Sequence, residues 1–319
     1  MKTEARVRFG VRIHQGGYDY DSLRRVWLEA DQLGYYSATL YDLLNIPTLE
    51  CWTTLAALAS ETRRIRLVPL VLANPYRSPV VLAKMAATLD VISGGRLELG
   101  IGAGGDKSDH LAAGLPFPST AVRVAMLEEA VQIIKGLWTG STLSFEGQHY
   151  RIDNATCEPG PVQRPHPPIL IGGHGDTHLL RAVAAHADIC NMSMDMSLHD
   201  HRRKQEVLEA HCRRLGRDIS QIEVSHNAQV FIAEDESKVE AMLLEYAVRR
   251  GMAPDRLKAS LGNAIVGTPE QCASQVRSYV EAGFTYFFLL FPHPIELDAL
   301  RLFAESVMPH FGDDTRELG

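Results

Sequence analysis

Two glycine-rich turns carry the first chemical signal. In "GRLELGIGAGGDKSDH", residues 95–110, Gly100, Gly102 and Gly105 spell G-x-G-x-x-G directly after an apolar run. That spacing cradles the pyrophosphate of dinucleotides when it opens a helix and an acidic residue follows about 20 residues on. Here Gly114, Pro116 and Pro118 interrupt the segment, and residues 122–125 at the required distance carry no acid. The motif also follows the fourth predicted strand instead of the first. A loop in which Gly102, Gly104 and Gly105 let backbone amides approach a flat ring or a phosphate fits better. The second turn, "PPILIGGHGDTHLL" at 167–180, runs from a strand through Gly172-Gly173-His174-Gly175 to a helix predicted from Thr177. Its amides and the helix dipole suit an anion. Asp176 opposes that anion unless it caps the helix. A third glycine, in "IVGTPEQ" at 265–271, reads as a helix cap.

Side chains able to handle a proton at predicted strand ends are His14, Tyr41, His110 and Asn191. His14 follows the first strand, and His110 lies in the glycine-rich segment. These two are the candidate catalytic residues, since hydride transfer to a carbonyl or activated alkene needs a nearby proton donor. His166, His186, His199 and His201 fall in loops or on helix faces and read as non-catalytic. No H-E-x-x-H, paired acids or His/Cys cluster points to a metal, and no G-x-S-x-G elbow points to a hydrolase.

These residues must be held by something, and the pattern around them is regular. Strands are predicted at 8–13, 37–41, 66–71, 97–101, 169–172, 189–192, 223–232 and 286–290. Helices are predicted at 21–34, 52–60, 79–93, 121–138, 177–186, 201–215, 235–250, 269–282 and 296–306. Parallel strands need crossovers, and helices supply them. Eight such units in 319 residues predict one TIM-type (β/α)8 barrel domain spanning 1–319. A doubly wound open sheet is the alternative. The rhythm breaks at 140–168, where "FEGQHYRI" reads as a hairpin and five prolines follow. This is an expected insertion between the fourth helix and the fifth strand.

Composition narrows the class. Apolar residues make up 45% of the chain, and the net charge is −7 from 32 basic and 39 acidic residues. The basic residues are scattered, whereas a nucleic-acid groove needs a concentrated stripe. Five widely spaced cysteines form no C-x-x-C pair, so neither a disulfide framework nor structural zinc is expected. The longest apolar run, 67–73, is short of the ~20 residues that span a bilayer. A cytoplasmic protein acting on a small molecule, with no nucleic-acid or membrane partner, is the expectation.

The segments "NPYRSPVVLAKMAATLDVISGGRLELGIGAGG" (74–105), "FPSTAVRVAMLEEAVQIIKGLWTG" (117–140) and "PVQRPHPPILIGGHGD" (161–176) resemble the luciferase-like flavin and deazaflavin oxidoreductase superfamily. The resemblance is densest to the branch using coenzyme F-420, a 5-deazaflavin hydride carrier. It implies a TIM-type barrel, often a homodimer, with the cofactor at the C-terminal ends of the strands. It also implies roles. Asp42 matches an acidic position beside the deazaflavin ring, and Leu70-Val71 a non-proline cis peptide behind it. Asn74, Ala103, Gly104 and Gly105 match positions near the ring and side chain. Gly172, Gly173 and His174 match the phosphate turn. The chain departs from the pattern at Leu43, where histidine is common, at Gly105, where tryptophan is usual, and at Ala113, often aromatic. An F-420-dependent oxidoreductase is the leading expectation. A reduced-FMN monooxygenase and a non-catalytic flavin-binding barrel are the alternatives.

Overall fold

The computed structural model describes residues 6–173, 175, 177–194, 197–262 and 264–312, apart from the Lys258 side chain. Eight parallel strands form its centre. They are β1 (Arg8–Arg12), β2 (Ser37–Leu40), β3 (Arg66–Pro69), β4 (Leu99–Gly102), β5 (Ile169–Gly172), β6 (Ile189–Asn191), β7 (Glu223–Ile232) and β8 (Tyr286–Leu290). All eight predicted strands are present. Their spatial order is β3-β2-β1-β8-β7-β6-β5-β4, and all the pairings between them are parallel.

The ring closes between β3 and β4, through a device that sequence patterning alone does not show. The predicted strand at 66–71 is in two pieces. After Pro69 comes the cis peptide Leu70-Val71, as the resemblance implies, and then a short strand, Leu72–Ala73. That piece pairs with β4 through Leu72↔Ile101 and Ala73↔Gly102, while a parallel bridge joins Leu67 to Leu97. The open sheet is therefore excluded. A second short strand, Ile265–Gly267, extends β7. The helix cap expected at this glycine is present, supplied by the next residue, Thr268, in a capping box with Gln271.

Two packing layers hold the barrel. Val68, Leu70, Leu170, Ile189, Tyr286 and Phe288 fill its interior. The outer faces of the strands pack on the helices in a much larger cluster that includes Trp27, Leu55, Leu127 and Phe303. At the N-terminal mouth the interior turns polar. The buried Glu98 carboxylate accepts from Arg66 Nε at 2.8 Å, Tyr36 Oη at 3.1 Å and Tyr286 Oη at 3.0 Å. Arg8 lies 4.7 and 4.8 Å from the two tyrosine rings. Burial, then the neighbouring Glu98, pushes the Tyr36 phenol up to about 12, so it stays a donor.

The insertion contains the expected hairpin, Leu143–Glu146 against Arg151–Ala155. Glu129, on the helix Thr120–Thr139, accepts from the amides of Gln148, His149 and Tyr150 at 2.7, 2.9 and 3.0 Å. This clamps the hairpin against that helix. The glycine-rich segment does open a helix, Lys107–Ala112, capped by Asp106. It ends after six residues, and Gly114 lies just beyond at φ +70°. A further short helix, Pro254–Ser260, was not predicted.

The five cysteines are buried and free. Among the described residues no helix is long and apolar enough to cross a membrane. No group of three or more His, Cys, Asp or Glu side chains is placed there to hold a metal ion.

His201, in the helix Leu198–Leu215, is fully buried, and its ring nitrogens lack hydrogen-bond partners. Burial pulls its pKa down to about 4, below the ~6.5 of an unfolded histidine. Between these values the unfolded chain binds the extra proton, so stability is present above pH 6.5 and lost as pH falls toward 4. The loss is expected to reach up to about 3 kcal/mol. Urea unfolding of the wild type and of His201→Phe at pH 7 and pH 4.5 measures it. The variant should show a flatter pH dependence, and equal slopes would refute the assignment.

Candidate functional site at the C-terminal mouth

Two adjoining cavities occupy the C-terminal mouth, where the loops leaving parallel strands converge. The larger has a volume of about 550 Å³, within the usual range for small-molecule sites. One wall is Gly102 to Gly105, leaving β4. The other is Gly172, Gly173 and Gly175, leaving β5, with Val71 between them. The glycines are required by space. A Cβ on Gly102 would lie 2.9 Å from Val71 Cγ2 and 3.2 Å from the Gly172 carbonyl oxygen. At Gly173, with φ +153°, it would lie 2.1 Å from Leu179 Cδ2.

The charged groups of this cavity are sorted by their partners. Asp42 is spoken for: Arg77 grips both carboxylate oxygens at 2.7 and 2.8 Å, and the Ala73 amide donates to it at 3.0 Å. Asp109 accepts from the Leu44 and Asn45 amides at 3.2 Å each. Burial, and then Asp109, raises the Tyr76 pKa, so the phenol on the cavity wall remains protonated. Arg123 differs. It donates through Nε to the Gly104 carbonyl at 2.8 Å, through Nη1 to the Pro118 carbonyl, and through Nη2 to Thr120 Oγ1 at 3.3 Å. Its guanidinium lies 4.0 Å from the Phe117 ring centroid. Among the described residues no carboxylate pairs with it. Thr120, Thr177 and His178 line the same cavity. The helix expected from Thr177 begins at Leu179, with His178 at its N-cap and no capping side-chain bond, and the Leu180 amide donates to the Gly175 carbonyl at 3.1 Å.

The smaller cavity, about 360 Å³, lies beside the first and shares Val71, Gly172 and Gly173 with it. Its other lining includes Arg12, Leu70, Asn191, Met192, Met194 and Asn227.

The sequence-nominated residues divide accordingly. Asp42, Val71, Ala103, Gly104, Gly105, Gly172 and Gly173 line the larger cavity. Leu70 and Asn191 line the smaller. Asn74 is buried behind the wall, donating to Tyr150 Oη at 3.2 Å. His174 and Asp176 lie outside the described residues. His110 is fully buried behind the loop, with Nδ1 2.6 Å from the Asp106 carbonyl and its ring packed against Tyr76 and Phe117. A Cβ on Gly104 would meet that ring at 2.9 Å. His14 is half-buried. Its Nδ1 accepts from the Gly16 amide at 3.1 Å, and its ring lies 5.1 Å from that of Tyr41. Neither histidine is on the wall of either cavity.

A family model described as luciferase-like monooxygenase matches residues 4–286 of the chain. The chain belongs to the luciferase-like monooxygenase family. Solved structures agree on the barrel. Coenzyme F-420-dependent tetrahydromethanopterin reductase from Methanopyrus kandleri is 21% identical, with a TM-score of 0.80, covering 97% of this chain and 100% of that one. A monooxygenase from Streptomyces bottropensis is 23% identical, with a TM-score of 0.80, over 96% and 100%. EDTA monooxygenase from Chelativorans sp. BNC1 is 16% identical, with a TM-score of 0.82, over 98% and 96%.

Within this luciferase-like barrel, sequence reasoning missed Arg12, Arg77 and Arg123. A signal existed for the last: Arg123 is the lone charge in "AVRVAM", on the buried face of its helix.

Proposed function

We propose that this luciferase-like chain is an oxidoreductase that carries coenzyme F-420 in the larger cavity and transfers hydride between it and a small organic substrate. One observation carries the reading: a glycine-walled cleft whose only uncompensated cation among the described lining residues is Arg123, beside the N-terminal, dipole-positive start of the helix Leu179–His186. Such an end suits a phosphate, and the side-chain-free walls suit a flat ring. When bound, the coenzyme supplies the hydride-carrying carbon, and the protein supplies orientation and electrostatics.

The chain's own residues then have distinct tasks. Arg123, with the positive end of the helix beginning at Leu179, anchors the anionic tail. The Asp42–Arg77 pair holds the loop after β2 against Ala73, so Asp42 presents a neutralised edge to the ring. Tyr76 offers a protonated hydroxyl. His110, packed behind Gly104, holds the glycine loop in place as a positioning residue. His14, just beyond β1 and off both cavity walls, is the proposed proton donor, acting through a bridging water. Since its Nδ1 accepts a hydrogen bond, the neutral ring carries its proton on Nε2. Burial first, then Arg12, lowers its pKa below the ordinary 6.5. It therefore serves as a neutral donor above pH 6.5. His14→Gln is expected to lower kcat on the order of 100-fold with cofactor affinity unchanged; a kcat within twofold of wild type would discard the role.

The family description supports a second reading, a monooxygenase using reduced FMN, because the same anion-binding end accepts a single phosphate. Fluorescence titration of the purified protein separates the two. Coenzyme F-420 is expected to bind at least tenfold more tightly than FMN. Tight FMN binding with none of F-420 reverses the order. The non-catalytic barrel, suggested by Leu43, Gly105 and Ala113, gains if reduced cofactor on the protein reoxidises no faster than free cofactor across a substrate panel.

A further inference from the structure

The smaller cavity contains a guanidinium that is oriented but not neutralised. Arg12 ends β1. Its Nη1 donates to Asn227 Oδ1 at 3.2 Å and reaches Met194 Sδ at 3.9 Å. Its charged plane lies 5.1 Å from the Tyr41 ring centroid. Asn227 is itself fixed, because its Nδ2 donates to Asn191 Oδ1 at 3.2 Å and to the Met192 carbonyl. Asn191 in turn donates to Ser225 at 2.8 Å. One edge of the guanidinium is thus tied down before any ligand arrives.

The other edge is not. Nε is buried without a hydrogen-bond partner, and Nη2 has none among the described residues. In arginine these two atoms form the side-on fork that matches both oxygens of a carboxylate. Among the described residues no acidic group pairs with Arg12, and none lines this cavity. A cation and a buried donor left in this state call for an anionic partner. Leu70, Val71, Met192 and Met194 form the apolar part of the wall, beside the polar Asn191, Ser193 and Asn227.

We propose that the smaller cavity is the substrate subsite, and that it takes an organic monocarboxylate with an apolar body. The carboxylate sits on the Nε–Nη2 edge of Arg12, and the body lies along the methionines. A phosphate is a poorer match, because the cavity offers one planar guanidinium and no second cation. This rests on the larger cavity holding the coenzyme: Val71, Gly172 and Gly173 wall both, so the substrate's body lies next to the ring.

The test uses benzoate and its neutral isostere benzamide, titrated calorimetrically into wild type, Arg12→Gln and Arg12→Lys. Wild type is expected to bind benzoate at least tenfold more tightly than benzamide. That preference should fall within twofold in Arg12→Gln, survive in part in Arg12→Lys, and weaken with added salt. Equal binding of the two compounds by wild type, a comparison that depends on no variant's folding, overturns the proposal. So does a full preference retained by Arg12→Gln. Coenzyme F-420 and FMN are titrated into the same wild-type sample. If neither binds while benzoate is preferred, the cofactor reading fails and the carboxylate site stands. If a cofactor binds without a benzoate preference, the carboxylate site alone is lost.

Discussion

Replacing Glu98 by alanine is expected to lower the melting temperature on the order of 10 °C, the largest stability effect of any single polar substitution at the barrel's N-terminal mouth. The carboxylate is 1% exposed and accepts from Arg66, Tyr36 and Tyr286. Removing one partner of a buried ion pair costs about 3–5 kcal/mol, since the other charge is left buried. Here Arg66 is that charge, with Arg8 close by over the tyrosine rings. Glu98→Gln keeps acceptors for the phenols but not the charge, so it should fall between wild type and alanine. Calorimetry of the three proteins at pH 7 decides the matter. A shift below 2 °C for the alanine variant would mean that the network is ornamental. Cofactor affinity should be unchanged in whatever fraction remains folded, because both cavities lie at the opposite end of the strands.

The second large effect is functional. Arg123→Leu is expected to weaken binding of the tight-binding cofactor on the order of 10- to 100-fold, because a charge-assisted hydrogen bond contributes about 1.5–3 kcal/mol. Arg123 also ties Gly104, Pro118 and Thr120 together, so the thermal midpoint is measured first. Arg123→Lys restores the charge without the fork, and its affinity should lie between the two. Wild-type affinity in a folded leucine variant would remove Arg123 from the anion site and leave the helix N-terminus as the whole of it.

Much of the barrel can be read from residue order because its elements are local. Most β-branched or leucine-rich runs are followed by a helix with its own cap or proline, as at Pro79 and Ser119. What escaped depended on distant partners. The Leu72–Ala73 strand exists because β4 lies beside it, not because two residues have a pattern. The helix Lys107–Ala112 was hidden by flanking glycines and prolines, although Asp106 caps it through the Ser108 and Asp109 amides. The glycine walls were legible because only glycine fits where a backbone meets Val71 or Leu179. The charges were not. Whether Asp42 is free depends on Arg77, 35 residues away, and whether His110 faces a ligand depends on Tyr76 and Phe117.

The partition of Val71, Gly172 and Gly173 has a bearing on how such a protein diverges. A bulkier residue there intrudes on both chambers at once, so with coenzyme and substrate placed as proposed, selection for a new substrate through this wall would disturb the coenzyme as well. Met192 and Met194 on one side, and Thr120 and Arg123 on the other, each border a single chamber. Lineages can drift at those positions independently, which makes the methionine pair the place to start a library for altered substrate range.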